Sequence, residues 1–107
     1  MDNLADAEVE IRHSASDPFH RYLAIEQGRP IAAGMTCREA GLASLETLST
    51  LPEYRNRGIG AALAARALQQ EREDGARVAV VWSSPGAQPL YARLGFRPVC
   101  TGYVLTV

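Results

Sequence analysis

A chain of 107 residues with 47% apolar and 21% charged residues has room for one domain with a real core, and excludes a second globular unit or a disordered chain. All 11 basic residues are arginines, and they face 12 acids for a formal charge of −1, which argues against global attraction to nucleic acid or an anionic membrane. That neutrality is uneven. Asp2, Asp6, Glu8 and Glu10 put four acids and no base in the first ten residues, whereas residues 55–97 carry seven arginines against Glu71, Glu73 and Asp74. An anionic ligand belongs in the second stretch. Unbroken apolar runs reach only five residues, against the roughly 20 of a membrane helix, and no signal sequence is visible. Cys37 and Cys100 form no CxxC or zinc spacing, so both are expected to be reduced, buried thiols of a cytoplasmic protein. His13 and His20 have no Cys or His at ligand spacing, and no metal is expected.

Residues 1–20 read as an acidic leader or linker holding at most a short strand at 9–12 and a turn at Ser16-Asp17-Pro18. The domain proper is expected over 21–107. Residues 22–25 and 31–37 flank Gln27-Gly28-Arg29-Pro30 as a hairpin, and residues 38–41 turn the chain again. A third extended segment spans 42–51, with Glu46, Leu48 and Thr50 on one face and Leu45, Thr47, Ser49 and Leu51 on the other, until Pro52 ends it. From Gly58 to about Asp74 the composition is that of a helix, stopped by Gly75. Its periodicity is blurred by alanine. Residues 78–82 then read as a parallel strand covered on both faces, which completes a βαβ unit. Ser84-Pro85 reads as the cap and first turn of a short helix ending at Leu94-Gly95, and 96–107 as a closing extended segment or tight hairpin.

The junction Pro52-Glu-Tyr-Arg55-Asn-Arg-Gly58-Ile-Gly60 carries the chemistry. First-turn amides of a helix lack internal acceptors and sit at its positive end, so they attract phosphate. Gly58 and Gly60 let an anion reach the backbone, and Arg55 and Arg57 add cationic forks; the plain alternative is a turn with two solvated arginines. Two better-known phosphate motifs fail here. The Walker pattern needs a lysine, and the dinucleotide fingerprint needs a third glycine where Leu63 stands.

R-x-x-G-x-G after a strand-ending proline, followed by a helix, a strand and Leu90-Tyr-Ala-Arg-Leu-Gly-Phe96, resembles the GNAT superfamily of acyl-CoA-dependent N-acetyltransferases. The resemblance covers about residues 21–99. The segments 51–60 and 83–100 look, more narrowly, like the carboxy-terminal domain of bacterial proteins with two GNAT-like halves. It implies an α/β (α+β) fold: a mixed, mostly antiparallel sheet with a central βαβ unit, its amino-terminal helices shortened or absent. It also implies acetyl-CoA as co-substrate. The amides of Arg55, Asn56, Arg57, Gly58, Ile59, Gly60 and Ala61 would hold the pyrophosphate. The backbone of Leu48 and Thr50 would pair with the pantetheine arm, and Ser84 stands where an asparagine often contacts the cofactor. Tyr91 would act as the acid that protonates the leaving thiolate, and Glu46, or water held near it, as the base. Asp17, Glu39, Glu53 and Tyr103 are further candidates.

The first 20 residues are too few for the strand and two helices that usually build the acceptor pocket. The chain is therefore expected to be a compact member, one domain of a longer protein, or half of a homodimer. The expected partner is a small-molecule or peptide amine. The rival reading is a non-catalytic acyl-CoA-binding or scaffolding domain.

Overall fold

The computed structural model describes residues 9–16 and 18–106. The expected acid cluster at 2–8 and Asp17 lie outside them. Five strands follow one another across a single sheet in sequence order: β1 (Val9–Ser16), β2 (Phe19–Glu26), β3 (Arg29–Glu39), β4 (Leu42–Thr50) and β5 (Val78–Val81). The first four are antiparallel neighbours, and β5 runs parallel to β4. Among the described residues two α-helices complete the fold, α1 (Ile59–Glu73) and α2 (Gln88–Arg93). This is the mixed, mostly antiparallel α/β arrangement that the motifs imply.

The β2–β3 and β3–β4 connections are two-residue turns, tighter than the sequence suggests. Gln27 and Gly28, then Ala40 and Gly41, all take positive φ, the backbone twist that joins two right-twisted strands without splaying them. Residues 9–16 correct the expected boundary at residue 20. All eight pair with β2, so the stretch expected as leader supplies a full edge strand. Val9-Glu-Ile-Arg12 alternates, but His13-Ser-Ala-Ser16 carries no large apolar residue, so the second half of the strand leaves no pattern in the sequence.

Alpha-helix α1 buries one stripe at four-residue spacing, Ile59, Leu63, Ala67 and Glu71, against the sheet. Ile59, Leu63 and Ala67 meet Tyr22, Ala24, Ile31 and Ala32 in the core. Small residues on both sides let the helix lie close to the strands. Gly34 is one such position: a Cβ there would touch Leu48 and Leu63 at 3.4 and 3.7 Å. Both helices end on the same capping device. In α1, Gly75 takes φ 107°, its amide reaches Arg72 O, and the amide of Ala76 reaches Glu71 O.

The carboxy-terminal part departs further from expectation. Strand β5 is an edge strand with no buried residue, and Val78 is 56% exposed, so it is not covered on both faces. Residues 96–106 form no regular element, and Val99, Tyr103, Val104 and Leu105 are exposed. Cys100, expected to be buried, is exposed as well, and Cys37 is half-buried.

Candidate functional site

Strands β4 and β5 part company halfway along β4. Their pairing runs from Leu42 opposite Val78 to Leu45 opposite Val81 and then stops. The cause is visible on the other side of β4, where Thr36 faces Leu45 but Met35 faces Thr47. Glu46 is an extra residue, a β-bulge that bends β4 and raises its twist. The bulge also resets side-chain alternation, which corrects the expected faces. Leu45 and Leu48 both turn toward α1, as does Thr50, whose Oγ1 would lie 3.5 Å from a Cβ on Gly60. Glu46 is exposed and does not share their face by simple alternation.

Backbone directions beyond the bulge follow from one bond. The amide of Leu51 donates to Ile31 O across the β3–β4 ladder. Antiparallel residues alternate between facing the partner strand and facing away, so Leu48 and Thr50 aim their N–H and C=O groups away from β3. Their outer neighbour would be β5, which has already diverged. The result is a slot edged by free β4 backbone. The Thr50 carbonyl is in use, because it accepts from Arg55 Nε at 3.1 Å.

From the end of β4, Pro52–Tyr54 forms one 3₁₀ turn, and the chain then enters α1 through Asn56 (φ 65°) and Gly58 (φ 77°). Only glycine takes that conformation without strain from a Cβ, with asparagine the least penalised alternative. Gly58 gives α1 no side-chain cap, and the first amide with an intrahelical acceptor is that of Ala62, bonded to Gly58 O. The amides of Ile59, Gly60 and Ala61 therefore point out of the helix start. A Cβ at Gly58 would meet nothing within 4 Å, so the approach to them is open. This is the chemistry of an anion cradle, and it fits a pyrophosphate. Two details differ from the sequence reading. The amide of Arg55 is bonded to Pro52 O, leaving Arg55 its side chain to offer, and Arg57 is tied to Glu26.

Tyr91 owes its place to the end of α2. Gly95 (φ 103°) donates to Ala92 O, and the amide of Phe96 donates to Tyr91 O, so Leu90-Tyr-Ala-Arg-Leu-Gly-Phe96 is a Schellman cap written in sequence. The cap brings the Tyr91 and Phe96 rings edge to face at 5.9 Å, fixing the half-buried phenol. Burial pushes its pKa above the ordinary value and keeps it protonated at neutral pH. Ser84 precedes a 3₁₀ turn, Pro85–Ala87, and its hydroxyl makes no capping bond, contrary to the cap expected there.

One cavity of about 230 Å³ gathers the slot's wall: Glu46 and Leu48 from β4, Trp82 and Ser84 after β5, and Tyr91 from α2. Four residues chosen from sequence thus share one lining. Asn56, Arg57 and Gly58 lie on the adjoining loop. Sequence reasoning missed the partners that hold this loop, Glu26, Arg29 and Tyr54, because they come from elements 25 or more residues away or carry no motif. It also missed a buried polar cluster around Glu71 at the other end of α1. Thr36 and Tyr22 donate to that carboxylate, and Arg38 pairs with it at 3.1 Å and with Asp74 at 3.3 Å. The hairpin β1–β2 sets His13 Nε2 3.1 Å from His20 Nδ1, yet no group of three or more metal-ligating residues occurs among the described residues.

A sheet that opens beside a bulge, with a glycine-rich helix entry at its mouth, is the arrangement that the resemblance to an acyltransferase family implies. Comparison with known proteins makes this specific. Residues 17–98 match the acetyltransferase (GNAT) domain model. The chain is 30% identical to the uncharacterized N-acetyltransferase YjgM of Escherichia coli K12, over 94% of this chain and 69% of that protein. Among solved structures it superposes on aminoglycoside N-acetyltransferase AAC(6')-Iy in complex with CoA with a TM-score of 0.78, at 18% identity over 92% of this chain and 98% of that one. An acetyltransferase of Trypanosoma brucei gives a TM-score of 0.77 at 23% identity, over 84% and 70% of the two chains. The chain belongs to the GNAT acetyltransferase family and is an acyltransferase of that family.

Proposed function

We propose that the protein transfers an acetyl group from acetyl-CoA to a primary amine by direct attack. The observation that carries this reading is the slot itself: Leu48 backbone and the Thr50 amide turned away from β3 on one side, and Tyr91, Glu46 and Ser84 lining the same cavity. The pantetheine amides would pair with β4 as an added strand, and its pyrophosphate would lie on the amides of residues 57–61 with Arg55 beside them. Amides along β4 would polarise the thioester carbonyl. Glu46, or a water it holds, takes the proton that the attacking ammonium must lose. The amine nitrogen bonds to the carbonyl carbon, the carbon–sulfur bond breaks, Tyr91 gives its phenolic proton to the departing thiolate, and the second proton shed by the acylated nitrogen restores the phenol. Leu23 and Phe19, each 39% exposed on the sheet face away from α1, mark where an acceptor wall would stand. A further domain or a second copy would supply it. The protein would work in the cytoplasm, in keeping with its two free cysteines.

The test pairs binding with turnover. Calorimetric titration should give CoA binding, and acetyl-CoA with a panel of amines should release free thiol. Tyr91→Phe should lower turnover by about 10²-fold or more, the range of a lost general acid, with CoA affinity nearly intact. Binding without thiol release from any amine would overturn the catalytic assignment, and equal turnover in Tyr91→Phe would remove Tyr91 from the chemistry.

A further inference from the structure

The two arginines of the loop diverge. Arg55 leans on the Thr50 carbonyl, which faces the slot, and its two terminal nitrogens have no partner among the described residues. Arg57 turns the other way, across β3, to the last residue of β2: its Nη2 and Nη1 reach the two carboxylate oxygens of Glu26 at 2.8 and 3.4 Å. Its guanidinium also lies 5.4 Å from the centre of the Tyr54 ring, and Arg29 lies 5.5 Å from the same ring while pairing with Glu53. Tyr54 in turn packs on the core. The salt bridge is sheltered, with the Glu26 side chain 17% and the Arg57 side chain 37% exposed. The Arg57 bond holds the Glu26 carboxyl below its usual pKa, so the pair stays charged at neutral pH.

We propose that Arg57 is a positioning residue, a clamp from the loop to β2 that sets the amides of residues 57–61, and that Arg55 alone is the loop's phosphate-facing cation. Arg57 sits between two residues of positive φ, in a turn whose helix has no side-chain cap. Without the Glu26 and Tyr54 contacts, little would hold that backbone in shape. This inference rests on the phosphate-cradle reading above, and predicts a sign that the direct-contact alternative reverses. If Glu26 merely competed with phosphate for Arg57, Glu26→Gln would free the guanidinium and tighten CoA binding. If Arg57 is a clamp, Glu26→Gln loosens the cradle and weakens CoA by about fivefold, the scale of one such ion pair.

The experiment measures CoA affinity by calorimetry for wild type, Glu26→Gln, Arg57→Glu, and the charge swap Glu26→Arg with Arg57→Glu, with thermal melts to establish folding. Amide exchange of residues 57–61 is followed in the ligand-free chain. The clamp requires Arg57→Glu to lose about tenfold or more, and the swap to regain most of that. It also requires exchange protection to fall in Glu26→Gln and return in the swap. Tighter binding by Glu26→Gln, or a swap as weak as Arg57→Glu, overturns the clamp. Wild type failing to bind CoA overturns the functional reading instead, and the exchange arm then decides the clamp by itself.

Discussion

The two halves of this sheet are built to different standards. Strands β2 to β4 with α1 contain every residue of the buried core, including Tyr22, Ile31 and Leu63 at 1% exposure or less. Strand β5 and α2 contain no buried residue, and a cavity of about 610 Å³ separates α1 from the end of α2, between Leu68 and Phe96. The proposed site straddles the border. Its anion cradle rises from the packed half, whereas Tyr91 and Ser84 come from the open one. Rigid support is thus concentrated where a cofactor would be held, and Tyr91, the proposed acid, sits on an element braced by little beyond its own Schellman cap.

The strongest way to break the packed half is through its one buried carboxylate. Glu71 is 1% exposed and collects Thr36, Tyr22 and Arg38, with His20 Nδ1 at 3.7 Å. Glu71→Ala leaves two buried hydroxyls without their acceptor and Arg38 with Asp74 alone, and should cost about 3 kcal/mol in urea denaturation, the lower end for a buried pair broken on one side. A cost under about 1 kcal/mol would mean that water replaces the carboxylate and that this end of α1 is not sealed.

Truncations to alanine in the two halves sharpen the contrast. Leu63 is wholly buried beneath the sheet, and Leu63→Ala should cost about 2 to 5 kcal/mol for lost transfer and cavity terms. Val80 on β5 is 39% exposed, and Val80→Ala should stay within about 0.5 kcal/mol. Similar losses at both positions, measured by the same unfolding curves, would show that β5 is packed in solution, by residues 99–105 folding back on it or by another chain.

What was legible in the sequence follows the reach of each interaction. The hairpin turns, the extent of α1 and the capped end of α2 are dictated by residues within five positions of one another. Gly58, Gly75 and Gly95 each announce a left-handed backbone. The uncapped helix start at Gly58 was legible for the same reason. The bulge at Glu46 was not, because a bulge is a mismatch with the partner strand and nothing in Leu45-Glu-Thr-Leu48 alone reveals which residue is extra. Arg57 read as a phosphate fork because its partner stands 31 residues earlier. Strand β1 read as leader because only Val9 and Ile11 give it large apolar residues and the rest, His13-Ser-Ala-Ser16, shows no alternation. Glu71 carries no motif, and only its place four residues beyond Ala67 on the buried Ile59, Leu63, Ala67 stripe sets it inside.

Tyr22 offers the finest test of how dry the packed half is. Its hydroxyl donates to Glu71 at 3.4 Å, and burial, with Glu71 nearby, pushes its pKa up to about 12. An unfolded tyrosine titrates near 10. The folded-state value is the higher one, so the contribution is fully present below about pH 10 and lost as pH rises toward 12, where the unfolded state sheds its proton first. Tyr22→Phe removes both the hydrogen bond and the titration. At neutral pH the variant should be less stable by about 1 kcal/mol, the net worth of one such bond. Between pH 10 and 12 wild type should lose stability faster than the variant, so that the gap closes or inverts. Unfolding curves of the two proteins taken from pH 8 upward measure this, and parallel curves would mean that water reaches the Tyr22 hydroxyl and that the sheltered end of α1 is no drier than the slot.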